Sequence, residues 1–161
     1  MEQKKLEIAI FGAGCFWGVE SRFGKVKGVV ETEVGYTGGT TKNPSYKDVC
    51  TNKTGHAEVV KVTFDPSIVS YEELLEIFWN LHNPTSLNRQ GWDVGTQYRS
   101  AVFYNSEEQR LAALKLKEDL DKSGKYNKPI VTEIIPVSEY YRAEEYHQKY
   151  DEKNKRSIFS I

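Results

Sequence analysis

Gly14-Cys15-Phe16-Trp17-Gly18 follows directly on the alternating apolar run Leu6, Ile8 and Ile10, and this junction limits what the chain can fold into. Period-two alternation reads as a half-buried strand, and Gly12, Gly14 and Gly18 permit a sharp turn into a helix that begins near Phe16 and runs to about Gly24. A thiol at such a junction lies among unpaired N–H groups at the positive end of the helix dipole, which favours thiolate over thiol. A thiolate there is a nucleophile. The plainer alternative is a packed apolar cysteine, the commoner fate of a Cys beside Phe and Trp.

Strand and helix signals then intersperse along the chain. Val29 to Tyr36 reads as a strand ended by Thr37-Gly38-Gly39, and residues 40–53 read as an ordered polar loop, broken by Pro44, that carries Tyr46 and Cys50. His56 to Phe64 alternates again until Asp65-Pro66 stops it. Ser70-x-x-Glu73 opens a capped helix with the stripe Leu74, Leu75, Phe78 and Leu81. Ser106-x-x-Gln109 opens another, with the stripe Leu111, Leu114 and Leu116 and a stop at Ser123-Gly124. Residues 82–95 are loop-like and lead into the strand Ala101 to Tyr104. Glu133 to Val137 reads as a last strand, and Tyr140 to Tyr150 as a surface helix. Without a uniform βαβ rhythm, the expected class is an α+β sandwich rather than a doubly wound sheet. No repeat or linker divides residues 1–161, so a single domain is expected.

Lys plus Arg total 22 against 23 Asp plus Glu, a net charge of -1, so no global field draws nucleic acid or an anionic membrane. Neither a secretory apolar segment nor a run of about 18 apolar residues occurs, and a soluble, cytoplasmic protein is expected. In a reducing compartment the two cysteines, Cys15 and Cys50, serve chemistry better than a bridge.

Alternation from His56 to Phe64 puts Glu58 on the face of Val60, Val62 and Phe64. A carboxylate on an apolar face loses hydration, its pKa rises, and it can then act as a general acid near neutrality. The alternative is a frayed strand end where Glu58 reaches water or pairs with Lys or Arg. The cluster Gly91 to Ser100 reads, on its own, as a structural turn in which Asp93 caps local N–H groups and Tyr98 packs.

Gly14-Cys15-Phe16-Trp17-Gly18, Gly35-Tyr36-Thr37-Gly38-Gly39, Asn43-Pro44-Ser45-Tyr46, Gly55-His56-Ala57-Glu58 and Asp93-x-Gly95-Thr96-Gln97-Tyr98-Arg99-Ser100 resemble, in order, the signature blocks of the methionine sulfoxide reductase A family, the peptide-methionine (S)-S-oxide reductases. The resemblance covers nearly the whole chain. It implies a two-layer α+β sandwich with a central mixed, mainly antiparallel sheet. It also implies reduction of the S epimer of methionine sulfoxide, free or in proteins, as a repair of oxidised proteins, with no bound cofactor and no metal. By the same resemblance the nucleophile falls on Cys15, the acid on Glu58, the assisting hydroxyls on Tyr46 and Tyr98, the aromatic methyl pocket on Phe16 and Trp17, and a polar substrate-binding partner on Asp93. Attack by Cys15 would leave methionine and a Cys15 sulfenic acid, which another thiol reduces.

Residues 101–161 contain no cysteine, whereas many relatives carry resolving cysteines near the C-terminus. Direct reduction by an outside thiol is therefore expected, from thioredoxin or from glutathione with glutaredoxin, with Cys50 the one internal candidate. The reduced protein is expected to be a monomer. Rival readings are a cysteine hydrolase pairing Cys15 with His56, His82 or His147, a zinc site begun by His56-x-Glu58 but lacking Pro-Cys-x-x-Cys, and a module that binds Met-containing peptides without turnover.

Overall fold

The computed structural model describes residues 5–159. In chain order the elements are β1 (Glu7–Ala13), α1 (Phe16–Gly24), β2 (Val29–Thr37), α2 (Tyr46–Val49), β3 (Ala57–Phe64), α3 (Tyr71–Asn80), β4 (Arg89–Gln90), β5 (Asp93–Val94), β6 (Ser100–Tyr104), α4 (Glu107–Lys122), β7 (Glu133–Pro136), β8 (Tyr141–Arg142) and α5 (Tyr150–Phe159). Six strands form one sheet in the order β7-β6-β1-β3-β2-β8. Only the β6–β7 pair is parallel; the others are antiparallel. This is the mixed, mainly antiparallel α+β sandwich that the sequence leads one to expect.

The main core lies between the sheet and its helices. Ala9 and Phe11 of β1, Val60, Val62 and Phe64 of β3, Phe16, Val19 and Phe23 of α1, and Leu74, Leu75 and Phe78 of α3 form one buried cluster. Phe11 is its hub, stacked at 5.2 Å on Phe23 and at 5.0 Å on Phe78. The run Leu6, Ile8, Ile10 thus marks the strand but not its principal core face. Leu6 and Ile8 stay exposed, and Ile10 joins a smaller cluster on the far side with Ala57, Val59, Ala101 and Phe103.

Local chemistry explains the remaining departures. Ser70 and Glu73 close both bonds of the expected capping box. At α4, Ser106 accepts from the Gln109 N–H, but the Gln109 side chain reaches the Asn105 N–H instead. The buried face of α4 carries Gln109 and Ala113, with Ala112, Leu116 and Leu120 against the core; Leu111 and Leu114 of the expected stripe are exposed. The contact line of this helix therefore runs through Gln109, Ala112, Ala113, Leu116 and Leu120. The loop at residues 40–53 contains α2, a single turn capped reciprocally by Ser45 and Asp48. Residues 82–95 contain the β4–β5 hairpin.

The stretch Tyr140 to Tyr150 is not a surface helix. It runs as β8 on the edge of β2, then a 3-10 turn over Glu145–His147, before α5 begins. Gln148 explains the difference: its side-chain amide accepts from the Val34 N–H and donates to the Val34 and Ala143 carbonyls, each at 2.9 Å. One glutamine side chain here does the work of a strand's peptide group, holding the segment to the sheet edge.

Phe11→Ala is expected to lower the unfolding free energy by about 3–5 kcal/mol, through lost transfer energy and the cavity left among three rings. Urea unfolding of the purified variant measures this, and a loss below about 1 kcal/mol would show that the stack is not the hub of the core.

Candidate active site

The register of the sheet brings the end of β1 beside the start of β3, since Phe11 pairs with Val60 and Tyr36 with Glu58. Cys15 is the N-cap residue of α1. The turn into it needs Gly14, whose φ is +100° and whose absent side chain leaves room for Gln90 of β4, 3.0 Å from where a Cβ would stand. The β4–β5 hairpin therefore leans against the turn that presents Cys15.

Glu58 is 1% exposed and faces α1 with Val60 and Val62, as the alternation predicts. Its Oε1 accepts the N–H of Phe16 at 3.3 Å, and its Oε2 accepts from Gln97 Nε2 at 3.2 Å. Burial pushes its pKa from 4.5 up to about 7; the two hydrogen bonds pull the other way, and the charge of Asp93 adds to the rise. This is no frayed strand end.

Cys15 is half-buried, and its thiol is pushed up to about 12. The expectation of a resting thiolate fails here. Burial outweighs the N–H of Trp17, and the negative charges of Glu58, Asp93 and Asp151 oppose a thiolate further. The helix N-terminus stabilises the anion without being strong enough to form it near neutral pH.

The other expected residues gather at the same place. Tyr46 and Tyr98 are half-buried, and their hydroxyls interact with each other, Tyr46 also with the Cys50 thiol. Burial raises both pKa values, that of Tyr98 to about 12, with the charge of Glu58 contributing to each. Both remain O–H donors across the neutral range. Phe16 is fully buried, 5.7 Å from Tyr36. Trp17 stacks on Tyr150 with ring centroids 3.7 Å apart, and its indole N–H donates to His147 Nδ1 at 2.9 Å. Asp93 lies exposed on the hairpin, its charge felt by Cys15, Glu58 and Tyr98.

Sequence reasoning missed the wall that holds these groups. Glu144 accepts from the Tyr36 hydroxyl and the Tyr46 N–H, each at 2.9 Å, so it fixes Tyr46 from a hundred residues downstream. Glu20 of α1 is buried, accepts from the Lys149 N–H at 2.7 Å and from Thr32 at 2.9 Å, and pairs with Lys149 Nζ at 3.1 Å. That cluster anchors the segment carrying His147 and Tyr150 to the helix carrying Trp17. The polar run Glu144-Glu145-Tyr146-His147-Gln148 held the only signal, too many hydrogen-bonding groups for one helix face.

Among the described residues none of the three histidines is hydrogen-bonded to Cys15, although His147 Nε2 is buried with no partner. His56 bonds the Gly39 N–H and the Thr41 carbonyl, His82 the Phe78 carbonyl and Ser100, and His147 the Trp17 indole. Among the described residues no group of three or more His, Cys, Asp or Glu could hold a metal ion, and no helix is long and apolar enough to cross a membrane.

The Glu58 shift has a consequence for stability. The native state holds a proton up to about pH 7 that the unfolded chain releases near 4.5, so the stabilisation is complete below 4.5 and lost as pH rises through 7. Relative to Glu58→Gln, the wild-type protein is expected to lose about 3 kcal/mol between those limits. Denaturant titrations of both proteins from pH 4 to 8 measure the gap, and a constant gap would contradict the burial argument.

A family model described as peptide methionine sulfoxide reductase matches residues 7–161. A protein of Methanosarcina mazei named peptide methionine sulfoxide reductase MsrA is 62% identical over 148 residues, which span 92% of this chain and 70% of that one. The reduced form of Mxr1 from Saccharomyces cerevisiae superposes with a TM-score of 0.89 at 37% identity, over 96% of this chain and 89% of that one. Mxr1 in complex with Trx2 aligns at a TM-score of 0.65 and 25% identity, over 92% of this chain and 87% of that one.

Proposed function

Because this chain belongs to the peptide methionine sulfoxide reductase family, a family of oxidoreductases, we propose that it reduces the S epimer of methionine sulfoxide, free or in proteins, with Cys15 as nucleophile and Glu58 as acid. One observation carries the reading: the buried carboxyl of Glu58 is bound by the N–H of Phe16, so acid and nucleophile are joined through a single peptide link. Residues 1–161 act as one catalytic domain.

A sulfoxide sulfur is a poor electrophile until its oxygen is protonated or hydrogen-bonded. Glu58 donates a proton to that oxygen while Tyr46 and Tyr98 donate hydrogen bonds to it. The Cys15 sulfur forms a bond to the substrate sulfur, its own proton balancing the one Glu58 gives up. On collapse the new sulfur–sulfur bond and the substrate's sulfur–oxygen bond break as the hydroxyl passes to Cys15, so thiol plus sulfoxide become sulfenic acid plus methionine. The Phe16 and Trp17 rings hold the S-methyl group by burial and by the attraction of aromatic faces for a methyl of partial positive charge. Asp93 lies beside them at the polar rim. The R epimer would turn its oxygen into the apolar wall, at the cost of an unpaired polar group.

An outside thiol then condenses with the sulfenic acid, releasing water and forming a mixed disulfide, and a second thiol restores Cys15. Thioredoxin, or glutathione with glutaredoxin, fits that role. The alignment with a relative held in a Trx2 complex supports the first. Cys50 is the only other cysteine of the 161 residues, and its thiol is already engaged by Gln97 and Tyr46.

Turnover assays with separated epimers are expected to give methionine from the S form alone, with Cys15→Ser inactive and Glu58→Gln slowed about 10²–10⁴-fold. Activity on the R epimer alone would defeat the assignment. Since the acid must be protonated, the single-turnover rate is expected to fall as pH rises through about 7. Non-reducing mass analysis after one turnover is expected to find a sulfenic acid on Cys15, and a Cys15–Cys50 bridge would overturn the external-thiol route.

A further inference from the structure

We infer that Gln97 is a positioning residue for the Glu58 proton, its single amide nitrogen bonding the Glu58 carboxyl on one side and the Cys50 sulfur on the other. This rests on the reading of Glu58 as the acid. Gln97 is 2% exposed and lies in the 3-10 turn Thr96–Tyr98 that also presents Tyr98. Its Nε2 stands 3.2 Å from Glu58 Oε2 and 3.3 Å from Cys50 Sγ. An amide nitrogen has two N–H bonds, and both are used.

The second bond is what makes the first directional. With one N–H held by the sulfur of Cys50, which is itself exposed, the amide cannot rotate without losing both partners, and on the side of the buried Glu58 carboxyl the lost bond is not replaced by solvent. The carboxyl is fixed in turn, Oε1 by the Phe16 N–H and Oε2 by Gln97. Each oxygen keeps a second lone pair, and the transferable proton resides on one of them.

The amide also sets how readily that proton leaves. A donor to a carboxyl favours the ionised form and opposes burial, which acts the other way here. Without Gln97 the group would hold its proton to higher pH and surrender it less easily. A role in packing alone predicts no such change. The turn does not need the Gln97 side chain, because Thr96 anchors it through its N–H and hydroxyl to Asn52 Oδ1, at 3.0 and 3.3 Å.

The test uses the full chain, N-acetyl-L-methionine (S)-sulfoxide as probe, and single-turnover methionine formation without reductant from pH 5 to 10. Gln97→Met keeps the length and removes both donors. Its alkaline limb is expected to move up by about one pH unit, with the plateau rate about tenfold lower. Gln97→Glu is expected to move it further, since a like charge adds to the rise, while Thr96→Ala leaves it in place. A Gln97→Met limb that coincides with wild type overturns the inference, as does an equal displacement in Thr96→Ala. Should the Gln97 variants fail to fold, the side-chain amide resonances of Gln97 in nitrogen-15-labelled wild type are expected to titrate with the midpoint of the limb, and their failure to do so overturns it equally. A limb that survives Glu58→Gln removes the acid assignment itself. A limb lost in Glu58→Gln but unmoved in Gln97→Met rejects Gln97 alone.

Discussion

Two successive N–H groups at the start of α1 act on the two groups proposed to react: that of Phe16 is hydrogen-bonded to the Glu58 carboxyl, and that of Trp17 lowers the Cys15 pKa, although the sulfur does not cap the helix by a hydrogen bond. The first turn of a helix offers a few unpaired donors at the positive end of its dipole, and here both face titratable groups. The two are in electrostatic opposition, since the charge on Glu58 raises the Cys15 pKa. A protonated Glu58 removes that opposition, so the state that can give a proton to a sulfoxide oxygen is also the state in which the sulfur ionises more easily. A single helix end thereby ties the acid's protonation to the thiol's reactivity.

That arrangement depends on a chain segment more than a hundred residues away. The stretch from Tyr141 to Tyr150 has little apolar content with which to bind itself to the sheet, and it is fastened by polar bonds instead: Gln148 to Val34, Glu144 to Tyr36 and Tyr46, and Lys149 to Glu20. Buried polar groups add to stability only when satisfied; those of Gln148 and Glu20 are, whereas His147 Nε2 is buried with no partner. The same bonds set His147 and Tyr150 against Trp17, fixing one edge and one face of the indole and leaving its remaining surface to line the proposed methyl pocket. Lys149 holds a φ of 54° at this join, a cost of order 1 kcal/mol that its bonds to Glu20 offset.

The parts of the structure visible in the sequence are those governed by period and by caps. The strand face of Glu58, the start of α1 at Phe16 and the two bonds closed by Ser70 and Glu73 follow from local spacing. What local spacing misses is set by distant partners. Nothing near Leu111 and Leu114 reveals that α4 turns Ala112, Ala113, Leu116 and Leu120 inward, since that is decided by α3, β6 and β7, the elements it packs against. The segment after Tyr140 misleads because a glutamine that replaces a backbone peptide looks, in sequence, like one on a wet surface. The state of Cys15 misleads for a related reason: the helix N-terminus is local and legible, whereas the desolvation and the three carboxylates that outweigh it come from other elements.

The high pKa of Cys15 fits the work assigned to it better than a resting thiolate would. Oxidation of a cysteine by peroxide proceeds through the thiolate, and an enzyme of oxidised methionine works where such oxidants occur. A thiol held protonated by burial and by neighbouring carboxylates resists that reaction. In the proposed mechanism a substrate sulfoxide changes the balance, because its oxygen takes the proton of Glu58 and leaves a carboxylate that accepts the proton of Cys15 as the sulfur attacks. The nucleophile is then needed only while the electrophile and the acid are both in place. Gating of this kind requires no moving lid: a carboxyl near neutrality, a thiol well above it, and one helix end shared between them suffice.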